Sequence, residues 1–208
     1  MSHAPRGEQT LSTFPSKAPR SHRRKRAYGE CGLRSPVALR LVGSDIVPMG
    51  AGTFMWIQLT HFAINPSQND RSLLASLIAS PGYAHDYASP FDSEAVIAKS
   101  AVHGRWWRSA ISTELLEPWT AAVAESVLEA WADDQTWSDP GLPSTACRST
   151  RLQHVCALLR SGHLYRLNNP GVEAEHGYGW VTGGVDFHEF IVIDRSSRTI
   201  HVIVASDD

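Results

Sequence analysis

The residues of this chain whose types could do chemistry fall into two groups, a histidine with carboxylates near the C-terminal end and an Arg-Trp-Trp-Arg string in the middle. His188 and Glu189 stand side by side in the run Phe187 to Asp194, and Asp207 lies a short way beyond them. A carboxylate that orients an imidazole is half of an acid–base site, so His188 with Asp207 or Glu189 is the candidate catalytic set, of hydrolase or transferase type. No nucleophile accompanies it. The chain has no Gly-x-Ser-x-Gly elbow, and nothing marks an activating partner for Cys31, Cys147 or Cys156.

Metal chemistry finds no support in the spacing. His188-Glu189 departs from the zinc-protease pattern, because the fifth position is Val192 and the segment reads as strand. Cys147, His154, Cys156 and His163 resemble a ligand set in list order, but on a helix residues two apart point about 200° away from each other. Neither a metal nor a cofactor is expected. Gly50-Ala51-Gly52-Thr53 lacks the lysine and hydroxyl ending with which a phosphate-binding loop holds phosphate and magnesium.

The second group is His103, Arg105, Trp106, Trp107 and Arg108. Cationic groups interleaved with stacking surfaces recognise bases, sugars or a partner's carboxylates, which makes these the candidate partner-binding residues. Adjacent tryptophans on a strand point to opposite sides, so at least one of the pair is expected to be partly exposed.

What must position these residues is a terminal hairpin. Two β-branched and aromatic runs, Phe187 to Asp194 and Thr199 to Asp208, flank a short polar break, and the register sets Asp194 opposite Thr199 and Val192 opposite His201. Alternation gives one face Phe187, Glu189, Ile191, Ile193, Ile200, Val202, Val204 and Ser206. The other carries His188, Phe190, Val192, Asp194, Thr199, His201, Ile203, Ala205 and Asp207. His188 and Asp207 are diagonal neighbours on that second face. Glu189 falls on the apolar face, where a carboxylate needs either water at a frayed margin or a cationic partner, and the wet margin is the expectation. Both faces call for cover, so the hairpin belongs inside a sheet.

The rest of the chain supplies candidate cover. Thr53 to Thr60 reads as a strand, and Leu39 to Val47 allows a short one. Asp70 caps a helix over Arg71 to Ala79, and Asp92 or Ser93 caps another over Glu94 to His103 with Gly104 as its stop. A longer helix starts at Pro118 and runs to about Trp131 with Val123, Val127 and Trp131 inward. A fourth covers Ser149 to Ser161 through Leu152, Val155, Cys156 and Leu159. His163 to Leu167 and Gly177 to Thr182 complete an antiparallel meander. Helices first and strands last is the α+β pattern: a meander of three to five strands at the C-terminus, packed against two or more amphipathic helices.

Charge divides the chain. Residues 1 to 50 hold nine Lys or Arg against three Asp or Glu, whereas residues 51 to 208 hold ten against eighteen. The expected organisation is a disordered basic tail over 1–48 and a single α+β domain over 49–208. Met49 and Met55 are candidate initiators, so the tail is expected to be dispensable for folding. With three cysteines and no apolar run long enough for a secretion signal or a membrane span, the expectation is a cytoplasmic, bacterial protein with no membrane association. Three functions compete: non-catalytic binding of a protein or small-molecule partner, which leads; the acid–base enzyme built on His188; and nucleic-acid association through residues 20–26. The acidic balance of the folded part weighs against the last.

Overall fold

The computed structural model describes residues 39–49, 55–87, 99–133, 145–176 and 187–207. Its centre is the expected hairpin, β7 (Phe187–Asp194) and β8 (Thr199–Asp207), paired with Asp194 opposite Thr199 and Val192 opposite His201. The Asp194 carboxylate closes the turn, accepting bonds from the backbone N–H of Ser196 and Ser197 at 2.8 and 3.1 Å and from the Ser196 hydroxyl at 2.6 Å. Partial burial pushes that carboxyl up, but the bonds outweigh it and hold it at about 2.

Around the hairpin a six-stranded sheet forms in the order β1, β2, β8, β7, β6, β5, with every pairing antiparallel. Here β1 is Arg40–Pro48, β2 Met55–Ala63, β5 Leu116–Trp119 and β6 His163–Leu167. A separate two-residue ladder joins β3 (Val102–His103) to β4 (Trp106–Trp107). The α+β expectation holds, with a wider sheet than expected because β2 docks on β8 and β1 on β2. β1 lies in the stretch expected to be tail, so residues 40–48 are strand and not tail, and removing 1–48 would delete that strand. The basic cluster at 20–26 and the expected strand at 177–182 lie outside the described residues.

Both sheet faces are covered, as the hairpin's alternation requires. One face packs Ile57, Leu59, Phe190, Val192 and Ile203 against α2 (Ala121–Asp133) and α3 (Thr145–Leu159). α3 buries Leu152, Val155, Cys156 and Leu159, the stripe expected from spacing. The opposite face packs Phe62, Ile191, Ile193, Ile200 and Val202 against α1 (Asp70–Ala79) and against Tyr83, Tyr87 and Trp106. Among the described residues no helix is long and apolar enough to cross a membrane.

Three helix assignments are corrected. Asn69, not Asp70, caps α1, its side chain accepting from the Ser72 N–H at 2.8 Å, which leaves Asp70 free for other bonds. Pro118 belongs to β5, an edge strand that tolerates a missing donor, and α2 starts only after Thr120. The frame therefore shifts: Ala124, Leu128 and Trp131 face inward while Val123 is 49% exposed. The end of the helix expected over Glu94 to His103 is a 3-10 turn, Lys99–Ala101, followed by β3, and residues 88–98 lie outside the described set. Gly104, at φ +55°, opens the two-residue loop between β3 and β4, and a Cβ there would lie 2.5 Å from the Phe187 ring.

Candidate functional site

The β3–β4 hairpin carries Arg105, Trp106 and Trp107, with Arg108 starting the 3-10 turn that follows, and alternation along β4 sorts the two tryptophans. Trp106 points inward, 4% exposed, edge-on to Phe187 at 4.9 Å between ring centres. Trp107 points outward at 37% exposure and lies edge-on to His176 at 5.8 Å. The expected split between adjacent tryptophans is thus present. Arg105 pairs with Glu175 at 3.0 Å, and the Arg108 guanidinium donates to the Ser80 carbonyl at 3.3 Å.

Trp107 and Arg108 line a concavity of about 390 Å3 whose other walls are Ile78, Ser100, Ala101, Ser109 and Ile111. An aromatic face, an aliphatic floor, two hydroxyls and one guanidinium share this space. Such a surface accepts an apolar body and fixes its polar end.

His103, grouped with the string by sequence, does not belong to that surface. It is fully buried, and so is Glu189, with His103 Nε2 2.6 Å from Glu189 Oε2. The Tyr83 hydroxyl donates to Glu189 Oε1 at 2.8 Å, and His103 Nδ1 lies 2.6 Å from the Tyr83 carbonyl. Tyr83 stacks on the imidazole at 3.7 Å, and Tyr87 meets it edge-on at 5.1 Å. Glu189 is therefore not at a wet margin: it is enclosed, and the buried His103 ring is its partner.

The proton inventory of this network is fixed by its acceptors. A carbonyl only accepts, so His103 Nδ1 must carry a hydrogen. The line from Nε2 to Oε2 must then hold one further proton, whichever atom it sits on, and the His103–Glu189 pair is neutral as a whole. Burial, and next the adjacent Glu189, push the hydroxyls of Tyr83 and Tyr87 well above the ordinary tyrosine range, so both remain protonated. With no solvent reaching His103 or Glu189, the arrangement is a sealed, fully bonded tie between the sheet and the residues Tyr83 and His103.

Of the candidate catalytic set, Glu189 does not join His188. His188 and Glu189 are consecutive in β7, so the sheet separates them: Glu189 shares the α1 face with Ile191, and His188 shares the α2/α3 face with Phe190. The register sets His188 opposite Ala205 and places Asp207 two residues further along β8, opposite Met55. The Asp207 side chain lies outside the described set.

Two polar clusters escaped sequence reasoning because each joins residues far apart in the chain. On the α1 face, Asp70 accepts from the Tyr165 hydroxyl at 2.8 Å, meets His163 Nδ1 at 2.6 Å, and accepts from the Arg195 guanidinium. Burial alone would raise this carboxyl, but the bonds from His163, Tyr165 and Arg195 hold it below its ordinary value. Burial and the bond to Asp70 push Tyr165 up to about 12. The only signal in the sequence was a surplus acid just after the Asn69 cap.

On the other face the β2–β8 register sets His61 opposite His201, with their Nδ1 atoms 2.8 Å apart. One nitrogen must donate and the other accept, so the pair cannot carry two Nδ1 protons and keep this contact. Burial first, and the adjacent His61 second, lower His201 to about 4 from 6.5, against the opposing pull of Asp194. An unfolded chain takes up that proton near pH 6.5 and the folded one only near 4, so the pair contributes stability above pH 6.5 that is lost as pH falls through this window. Urea unfolding at pH 7, 5.5 and 4.5 is expected to show this decline, about 1–2 kcal/mol after allowance for solvent screening. His201→Phe should show a shallower slope over the same range, and an equal slope would rule the pair out as its source.

Among the described residues no group of three or more His, Cys, Asp or Glu is placed to hold a metal ion. Comparison with protein-family models, with curated proteins and with solved structures finds no match to this chain.

Proposed function

We propose that this protein acts by binding, without catalysis, and that the concavity at Trp107 and Arg108 is where a ligand or a partner's side chain is held. The observation that supports this reading most is the convergence in one open hollow of an exposed indole, the aliphatic groups of Ile78 and Ile111 and the Arg108 guanidinium. The acid–base residues favour it from the other side: Glu189 and His103 are enclosed, and His188 lies across the sheet from Glu189. The chemistry of the walls fits an apolar group that carries an anionic end, a carboxylate or a phosphate, since a guanidinium pairs with either.

A thermal-shift screen of aromatic and aliphatic acids and of short peptides with an apolar C-terminal residue tests the reading. At least one such class is expected to raise the melting temperature of the wild type. Trp107→Ala and Arg108→Ala should each weaken that binding by about 1–2 kcal/mol, roughly 5- to 30-fold, while changing stability in the absence of ligand by less than about 1 kcal/mol. Binding undiminished in both variants, or no shift with any member of the screen, would overturn it.

A further inference from the structure

The six-stranded sheet ends in two edges of different character. The β5 edge is four residues long and includes Glu117 and Pro118. A short strand, a charge and a missing donor are the devices that keep an edge from pairing. The β1 edge is nine residues long, and its only proline is the last of them. Among the described residues the only strand that β1 pairs with is β2. It also carries Leu41, Val42 and Ile46, which are 49, 57 and 46% exposed, half of the large apolar side chains left open to solvent among the described residues. A long edge with apolar side chains and open backbone groups is a template for another strand.

We propose that β1 is a self-pairing edge, through which two copies of this chain join their sheets into one by antiparallel β1–β1 contact. The sequence of the strand decides the occupant. Antiparallel pairing of identical strands about a two-fold axis is self-complementary only if no like charges meet. Centred on Ser44, the pairing sets Asp45 opposite the partner's Gly43 and Ile46 opposite the partner's Val42, so the exposed aliphatic groups cover one another. Centred on Asp45, it would oppose two carboxylates. The β-bulge between Leu41 and Gly43 limits the ladder to this central stretch. Because β5 is blunted, a third copy finds no open edge, and the assembly closes at two.

Sedimentation velocity on the full chain, from about 1 to 200 µM to cover weak interfaces, tests this directly. The wild type is expected to shift with concentration from a 22.8 kDa species to one of twice that mass. The Val42→Lys/Ile46→Lys variant places four ammonium groups along the seam and should stay at the single-chain mass throughout. Both positions are exposed, so its circular dichroism should match that of the wild type. A single-chain mass for the wild type over the whole range overturns the proposal. So does a variant that associates as well as the wild type, or growth of the wild type beyond two copies. If the double variant misfolds, Ile46→Glu alone supplies the same comparison.

Discussion

Glu189→Ala is expected to cost about 3–5 kcal/mol of folding free energy, the loss that follows when one partner leaves a buried pair and the other stays uncompensated. The carboxylate is fully enclosed and holds two groups at once, the Tyr83 hydroxyl and the His103 ring. Its removal leaves a buried phenol and a buried imidazole nitrogen without partners, as well as a cavity. His103→Ala should cost a similar amount, because it strands Glu189 in the same enclosure.

Glu189→Gln is the informative contrast. Its amide oxygen can accept from Tyr83 and its N–H can donate to His103 Nε2, while Nδ1–H still donates to the Tyr83 carbonyl. That arrangement satisfies every group without a charge, so the expected loss is about 1 kcal/mol. Equilibrium denaturation of the three variants settles the matter. A loss below 1 kcal/mol for Glu189→Ala would mean that water reaches the site and the network is not sealed.

Local sequence carried the hairpin and its register completely, since alternation over Phe187 to Asp194 and Thr199 to Asp207 leaves one way to pair the runs. The stripe of α3 was legible for the same reason. Where sequence reasoning failed, a competing local signal won. Pro118 suits a first helical turn as well as an edge strand, and only the pairing of Leu116–Trp119 with β6 decides between them. Gly104 suits a helix stop as well as a hairpin loop, and the contact of His103 with Glu189 selects the second. His103 and Glu189 were legible singly and not as partners. His103 was grouped with Arg105 because it is near in sequence, and Glu189 with His188 because it is adjacent. The fold instead joins His103 to Glu189 across 86 positions, a partnership that no local pattern encodes.

The sheet has two cores, and consecutive residues of β7 belong to different ones. Phe190 packs under α2 and α3, and Ile191 packs under α1 and Tyr83; both are fully buried. Ile191→Ala is expected to cost about 2–5 kcal/mol and Phe190→Ala about 3–5 kcal/mol, as truncations in a packed core do. The sheet also stands between the two side chains, so they share no packing partners even though they are neighbours in the chain. Their effects should therefore add. Both alanine changes together would remove about 5–10 kcal/mol, comparable to the whole stability of an ordinary domain, so additivity is best read on the milder pair Ile191→Val and Phe190→Leu. The double variant's loss in urea denaturation should equal the two single losses to within about 0.5 kcal/mol. A coupling well above that would mean that the two faces respond as one core, and a negligible loss for Ile191→Ala would mean that α1 and Tyr83 do not close over the sheet.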